Sequence, residues 1–237
     1  MKIALIIQGP ISSGGLSGKT WGKGKTKAPR EHFVEFDSSK TVMRNIEQGS
    51  KEFDFVILTT WSDENTSFLD GVTKDFLLLK NSDPGAIDGL VRSPVKGIKH
   101  THENNATRQF QGTLFGLLAA KALGFTHAVK IRTDQEINLR KLKREVVEQF
   151  EISNDVIIVP FIDLNVPWSI PDFYMAFNIE HGIKVAKIMS CQPRFNTNVH
   201  IDLFMKTLLI THPHLILPNF KEAFFYASPN RTFEKII

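Results

Sequence analysis

The sequence predicts an α/β protein in which a mainly parallel sheet is flanked by helices on both faces. Apolar runs of strand length alternate with amphipathic segments through the first two thirds of the chain, which is the pattern of a parallel sheet. The first run, residues 2–7, is apolar at consecutive positions, as expected for a strand covered on both faces. With 237 residues and 42% hydrophobic residues, we expect one large domain over residues 1–237.

The other elements are predicted from periodicity and capping residues. Pattern and caps indicate a basic loop at about 11–38, a helix at 39–51, strands at 53–60 and 75–80, a long loop at 81–103, a helix after Asn104 or Asn105, a strand at 125–131, a helix at 139–150, strands at 155–160 and 172–177, and helices after Asn178 and at 198–211. The helix after Asn105 places Phe110, Leu114, Leu117 and Leu118 on one apolar face, and Gly124 is expected to end it.

The composition indicates a cytoplasmic protein. No apolar run approaches the roughly 18 residues that a membrane span needs, and the apolar start of the chain is too short for a signal peptide. Cys191 is the only cysteine, so no internal disulfide can form, which fits a reducing compartment. The inner face of the membrane stays open as an alternative location.

The net charge of +4 is concentrated in one segment before the first helix, at Lys19, Lys23, Lys25, Lys27 and Arg30. Such a block is typical of a solvated loop, but it could also cover bound phosphates or contact an anionic membrane face. No nucleic-acid-binding motif accompanies the charge, and aromatic residues are not interleaved with it, so we expect no nucleic-acid partner.

Polar clusters follow four of the predicted strands, at residues 8–10, 61–63, 81–85 and 132–134. In open parallel sheets, ligands bind outside the carboxyl ends of the strands. One such cluster is ordinary turn chemistry, but four of them would line one edge of the sheet. The sequence therefore predicts a binding site at that edge.

The end of the fourth strand carries two cations and a carboxylate at alternate positions, Lys130, Arg132 and Asp134, which would share a face of an extended strand. A departing diphosphate, as in a nucleotide-activated substrate, needs a hard cation or positive side chains beside it. Asp134 is a candidate ligand for Mg²⁺ or Mn²⁺, while Lys130 and Arg132 could neutralise the diphosphate themselves. The alternative is a structural ion pair at the sheet edge.

Two other clusters are candidates for nucleotide contacts. Arg108 and Gln109 lie in the first turn of a predicted helix, where free amides and an arginine together suit an anion. Gln8, Gly9 and Pro10 allow close backbone approach and offer a donor and an acceptor to a base or a ribose. The alternatives are a solvent-exposed arginine and a simple strand-ending turn.

A transfer to a sugar hydroxyl with inversion requires a carboxylate that accepts the hydroxyl proton. Asp172 and Asp202 are the candidates, and Trp168 and Tyr174 near the first could stack on a sugar ring. The alternatives are a turn residue at Asp172, a solvated helix face at Asp202 and a core position for Trp168.

Two further patterns carry less weight. The pairs His212 with His214 and His100 with His102 resemble metal ligands but lack further ligands nearby in sequence. Residues 13–20 nearly match a phosphate-binding P-loop, but serine replaces the first glycine and no amphipathic helix follows.

Five short motifs resemble, in order, those of the WavE family of lipopolysaccharide synthesis proteins. They are Ile7-Gln8-Gly9-Pro10-Ile11, Leu58-Thr59-Thr60-Trp61, Ser82-Asp83-Pro84-Gly85, Asn105-Ala106-Thr107-Arg108-Gln109 and Val129-Lys130-Ile131-Arg132-Thr133-Asp134. The resemblance covers residues 1 to about 180. It implies a GT-A-like, Rossmann-like fold that binds a nucleotide sugar in surface polysaccharide assembly. By that likeness, Asp134 would stand in the position of a metal-binding Asp-x-Asp motif whose first acid is replaced by Arg132.

We therefore expect a glycosyltransferase that uses a nucleotide-sugar donor and a glycan or lipid-linked acceptor. Gln8, Gly9, Thr60 and Asp83 would frame the nucleotide. The diphosphate would be handled by Arg108, Lys130, Arg132 and Asp134, with or without Mg²⁺ or Mn²⁺. The incomplete Asp-x-Asp motif favours one alternative, a non-catalytic nucleotide- or glycan-binding module, and the glycine-rich segment suggests another, a phosphotransferase.

Overall fold

The computed structural model describes residues 1–16, 33–85, 87–92, 99–104, 106–154, 156–160, 173–191 and 224–226. The strands in these ranges are Ile3–Gln8 (β1), Ser12–Leu16 (β2), Phe33–Asp37 (β3), Phe55–Trp61 (β4), Leu77–Asn81 (β5), Ile87–Arg92 (β6), Lys99–Asn104 (β7), His127–Arg132 (β8), Ile157–Val159 (β9), Met175–Asn178 (β10) and Phe224–Tyr226 (β11). The helices are Ser39–Glu52 (α1), Ala106–Ala122 (α2), Leu139–Ile152 (α3) and Ile179–Ser190 (α4), with a 3-10 turn at Ser67–Gly71.

Seven strands form one mixed sheet in the order β11-β9-β10-β8-β1-β4-β5. Strands β8, β1, β4 and β5 run parallel, whereas β10 is antiparallel to both of its neighbours. Helices α2 and α4 cover one face of the sheet, and α1 and α3 cover the other. The predicted fold class, a mainly parallel α/β sheet with helices on both faces, is confirmed.

Strand β1 lies at the centre of the sheet and is buried along its whole length. Its side chains alternate between the two faces. Ala4 and Ile6 pack in the core under α2 and α4, while Ile3, Leu5 and Ile7 pack in the core under α1 and α3. The unbroken apolar run that predicted this strand therefore reflects two cores, one on each side.

Helix α2 lies directly against β1 because two glycines face the strand. A Cβ at Gly116 would come within 2.5 Å of Ile6 Cγ2, and one at Gly112 within 2.8 Å of Gln8 Cγ. The predicted apolar face of α2 is therefore shifted: Phe110 is buried, but Leu118 remains 45% exposed.

The caps fix the ends of the helices much as predicted. The side chain of Asn178 accepts a hydrogen bond of 3.0 Å from the Glu180 amide at the start of α4, and Gly124 ends α2 with φ +81°. The helix predicted at 198–211 lies outside the described residues. None of the helices in the described ranges has the length and apolar character needed to cross a bilayer.

Two predicted loops contain hairpins instead. Within residues 11–38, β2 pairs with β3 in antiparallel fashion, and within 81–103, β6 pairs with β7. The prediction was wrong because hydrophobic periodicity detects strands with a regular apolar face, whereas β2 is rich in glycine and β7 is polar. The basic residues from Lys19 to Arg30 lie outside the described residues.

Candidate functional site

Four strand ends and the start of one helix meet at the carboxyl edge of the sheet. Strands β8, β1, β4 and β5 end there side by side. At ordinary strand spacing, the end of β8 lies about 14 Å from the end of β5. Helix α2 runs back antiparallel to β1, since Gly112 lies over Gln8 and Gly116 over Ile6. Its N-terminal turn therefore points to the same edge.

The last row of side chains under α2 is polar. Gln8 is in register with Arg132 of β8 on one side and with Thr59 of β4 on the other. Gln8 and Thr59 are 3% and 1% exposed, and neither Gln8 Oε1 nor Thr59 Oγ1 has a hydrogen-bond partner among the residues that the structure describes. Thr60 lies on the opposite face, by strand alternation, and its buried hydroxyl is also unpartnered.

Unpartnered buried polar atoms are concentrated at this edge. Asn81 Nδ2 at the end of β5 and Thr107 Oγ1 in the first turn of α2 belong to the same group. Each such atom costs about 1–3 kcal/mol when nothing replaces its lost contact with water. Their clustering is typical of a site that a polar ligand completes. Thr59 could not be singled out from the sequence, because an alternating strand does not reveal which of two neighbouring threonines faces the helix.

Two cations lie on this face of β8, Arg132 in register with Gln8 and Lys130 in register with Ile6. Lys130 is 1% exposed and lies two residues before Arg132 on the same face of the strand. Strand β8 ends at Arg132, so Asp134 lies beyond it in a turn and not on the strand face that was predicted. Arg132 donates from Nε to Asp134 Oδ1 at 2.9 Å and from Nη2 to Oδ2 at 2.7 Å. The ion pair considered as the alternative is therefore present.

The described residues do not fit a Mg²⁺ or Mn²⁺ site. Both oxygens of Asp134 already accept from Arg132. Within the described ranges, no three His, Cys, Asp or Glu side chains gather in a way that could hold a metal ion. Hard divalent cations take several oxygen ligands, so a single paired carboxylate is a poor match.

A second arginine–carboxylate pair lies at the other end of the edge. Arg108 of α2 donates from Nε and Nη2 to the two oxygens of Asp83, at 2.6 Å each, and the Gly85 amide donates to Asp83 Oδ1 at 3.0 Å. Burial raises the pKa of Asp83, but the hydrogen bonds from Arg108 and Gly85 and the arginine charge outweigh it, so the pKa lies below its usual value. The pair connects the start of α2 to the segment that follows β5. Gln109, the next residue after Arg108, is half-buried.

The turn after β8 is anchored to α1. Gln135 accepts from the Arg132 amide through Oε1, at 3.2 Å, and its carbonyl accepts from Asn45 Nδ2 at 2.8 Å. Asn45 of α1 is only 1% exposed although its side chain is polar. A polar residue on the buried strip of α1 was the sequence feature that could have indicated this anchor.

The positions of several predicted residues relative to the edge are not described. Asp172, Asp202, Trp168 and the pair His212 and His214 lie outside the described residues, and the side chains of His100 and His102 on β7 are not described.

Tyr174 is 4% exposed and packs in the core under α3, so it does not stack on a sugar as was considered. Burial, followed by the nearby charge of Glu145, raises the pKa of its hydroxyl above the usual range.

The fold and the edge together define an α/β protein with a polar, cation-containing site at the carboxyl ends of a parallel sheet. The chain belongs to the WavE lipopolysaccharide synthesis family, whose sequence profile matches residues 43–166, more than half of the 237 residues. No curated protein matches the chain.

Solved structures with similar folds are distant. A cytidylyltransferase from Leptospira borgpetersenii is 14% identical, covers 98% of this chain and 77% of its own, and has a TM-score of 0.45. The 4-diphosphocytidyl-2C-methyl-D-erythritol synthase from Anaerococcus prevotii is 12% identical, with coverages of 98% and 92% and a TM-score of 0.47. A glycosyltransferase involved in glycosylation of the major capsid of PBCV-1 is 10% identical, with coverages of 97% and 83% and a TM-score of 0.42. Similarity at this level carries no argument about activity.

Proposed function

We propose that the chain is a glycosyltransferase that moves a sugar from a nucleotide-sugar donor to a lipopolysaccharide or other surface-polysaccharide acceptor. One observation carries the proposal: unpartnered buried polar atoms and two buried or half-buried cations gather at the carboxyl edge of the sheet, beside a helix N-terminus. Membership of the WavE family supports the class of acceptor, a glycan or a lipid-linked saccharide.

The nucleotide would be recognised from the row under α2. Gln8 Oε1 can accept a hydrogen bond and the Thr59 hydroxyl can donate or accept one, which suits the polar edge of a base or a ribose. Gly9 and Pro10 would allow the ligand to approach the backbone closely. Asp83 would border the nucleotide from the end of β5. The Thr60 hydroxyl would act from the opposite face of the sheet.

The diphosphate would leave beside Lys130 and Arg132. In the reaction, the bond between the anomeric carbon and the diphosphate oxygen breaks, and negative charge grows on that oxygen. Fixed positive groups in a site with little water stabilise such charge strongly. Arg108 and the dipole of α2 at its N-terminus would add to the positive field from the other side of the edge.

The acceptor hydroxyl would lose its proton to a carboxylate as the new glycosidic bond forms. Asp172 is our first candidate for this general base, and Asp202 is the second. Changing each to asparagine removes the base while keeping the size of the side chain. The true base is the residue whose variant binds donor normally but transfers no sugar.

The proposal is tested by incubating the protein with a set of nucleotide sugars and measuring released nucleoside diphosphate, with and without core oligosaccharide. We expect release from at least one donor, and faster release with an acceptor. A fixed concentration of Mn²⁺ or Mg²⁺ and a chelator should be compared in parallel.

A non-catalytic binding module is the second candidate, because the carboxylate expected to hold a metal is paired with Arg132. It predicts saturable binding of nucleotide or glycan with no release from any donor. A P-loop phosphotransferase is less well supported, since residues 12–16 of the glycine-rich segment form strand β2 and not a loop before a helix. That function predicts loss of ATP binding in Lys19→Ala.

A further inference from the structure

We propose that Thr133 is a positioning residue for the transfer reaction. Its hydroxyl holds the strand ends that carry Gln8, Thr59 and Arg132 in one fixed arrangement. This inference rests on the proposed function, and it assigns a role to a residue that touches neither donor nor acceptor in our account.

Thr133 links the turn after β8 to the turn after β1. It is 2% exposed, its Oγ1 donates to the Pro10 carbonyl at 2.7 Å, and its amide donates to the Gln8 carbonyl at 3.1 Å. The first of these bonds joins residues that are 123 positions apart in the sequence. The side chain of one residue therefore fastens the two strand ends that carry the predicted nucleotide and diphosphate contacts.

The backbone conformation of Gly9 and its lack of a Cβ make room for Thr133. Its φ is +142°, in the region that favours glycine, and a Cβ at this position would lie 2.6 Å from Thr133 Oγ1. The Gly9 amide donates to the Thr59 carbonyl at 3.2 Å, which adds the end of β4 to the same assembly. We call Gly9, Pro10 and Thr133, with these hydrogen bonds, the strand-end clamp.

The clamp acts on the polar row without belonging to it. Gln8 directly precedes Gly9, and Arg132 directly precedes Thr133, so both side chains leave the backbone at the fastened positions. Thr59 is held through its carbonyl. Small displacements of groups that bind a transition state cost far more in rate than in stability, because charge stabilisation depends on their placement. The clamp is therefore expected to control catalysis more than folding.

The test compares Thr133→Val, which keeps the shape and removes the hydroxyl, with Thr133→Ser, which keeps the hydroxyl. Thr113→Val is the matched control, because Thr113 is also 2% exposed and its hydroxyl bonds a carbonyl, that of Gln109, at 2.9 Å within α2. Donor turnover is measured well below the melting temperature of every variant, together with hydrogen exchange at the Gly9 and Thr133 amides.

We expect Thr133→Val to lower kcat about tenfold or more, to raise the donor KM less, and to speed exchange at both amides. Thr133→Ser should recover most of the activity, and Thr113→Val should keep wild-type kcat and exchange at these amides. A Thr133→Val protein that melts earlier but turns over donor normally at low temperature would overturn the positioning role, as would unchanged exchange. If the wild-type protein releases nucleotide from no donor, the proposed function fails, while the exchange data still show whether the clamp exists.

Discussion

At the residue scale, the Arg132–Asp134 pair fixes the orientation of an arginine at the position where we expected a metal-binding carboxylate. In an Asp-x-Asp motif, two acids would hold a metal ion. Here the single acid, Asp134, orients Arg132 through two hydrogen bonds of 2.7 and 2.9 Å. A guanidinium held in this way is a fixed planar cation that can face a phosphate. Asp134 would then contribute to catalysis by orienting Arg132.

Replacing Asp134 by alanine should lower donor turnover at least tenfold and leave the fold intact. The pair is 36% and 44% exposed, so its loss should cost only about 0–1 kcal/mol of stability. Turnover and the melting temperature are the measurements. Glu136→Ala, which breaks the more exposed pair with Arg44, is the control and should behave as wild type. Wild-type turnover in Asp134→Ala would contradict the assignment, and full rescue by high Mn²⁺ would indicate a metal ligand instead.

Thr59→Val should stabilise the fold and weaken nucleotide binding at the same time. The change removes a buried hydroxyl that has no partner, so the free energy of unfolding should rise by about 1 kcal/mol. Nucleotide affinity should fall, because the hydroxyl is part of the polar row. Thr113→Val, which removes a bonded hydroxyl, should be destabilising by a similar amount. Urea denaturation and nucleotide titration check both effects, and a destabilised Thr59→Val protein would show that its hydroxyl is satisfied in solution.

At the scale of elements, the position of the site depends on how closely α2 approaches β1. Gly112 and Gly116 allow the helix to rest on Gln8 and Ile6, which places its N-terminal turn over the strand ends. Gly116→Ala should therefore lower the free energy of unfolding by about 1–3 kcal/mol, because overpacking displaces the helix. Gly71→Ala, where nothing lies within 4 Å of the added Cβ, should be neutral or slightly stabilising. Equal urea midpoints for the two variants would contradict this packing.

The junction between β8 and the end of α3 should make stability depend on pH through His127. The ring is 4% exposed, with Nε2 2.8 Å from Asn154 Oδ1 and Nδ1 2.9 Å from Thr126 Oγ1. Burial lowers the pKa of His127, and the hydrogen bond to Asn154 opposes that effect only in part. Since the unfolded chain binds the proton more readily, this contribution to stability is present above about pH 6.5 and is lost as the pH falls below it.

The melting temperature should accordingly fall more steeply between pH 7.5 and 5.5 in the wild-type protein than in His127→Gln. The variant keeps a polar side chain that can reach Asn154 but has no proton to gain. If the melting temperatures of the two proteins fall equally with pH across this range, His127 titrates alike in the folded and unfolded chains.

The elements that the sequence predicted well are those with a buried face. Strand β1 and helix α1 appear close to their predicted limits because apolar periodicity follows directly from burial. The hairpins β2–β3 and β6–β7 were missed because glycine-rich β2 and polar β7 show no such pattern. Thr133 was missed for a related reason: its acceptor, the Pro10 carbonyl, is distant in sequence, and a threonine after a strand otherwise indicates only a turn.

At the scale of the whole molecule, the parallel order β8-β1-β4-β5 is what converts separate polar strand ends into one site. The grouping at the edge could be predicted, since carboxyl ends of parallel strands meet there. The pairing of Arg132 with Asp134 was foreseen only as an alternative, and that of Arg108 with Asp83 was not foreseen, because ion-pair choice depends on turn geometry that spacing does not determine. The outcome is an edge with a carboxylate-oriented arginine at each end and a polar row between them.

Calorimetric titration of the full chain with nucleoside diphosphates tests the central claim most directly. The site at the carboxyl edge predicts that at least one of UDP, CDP, GDP and ADP binds, and that Arg132→Gln weakens this binding about tenfold or more. Arg144→Gln, which changes a 68% exposed side chain on α3, should bind as the wild type does. Absence of binding by all four, or equal affinity of Arg132→Gln and wild type, would contradict a diphosphate site at the end of β8.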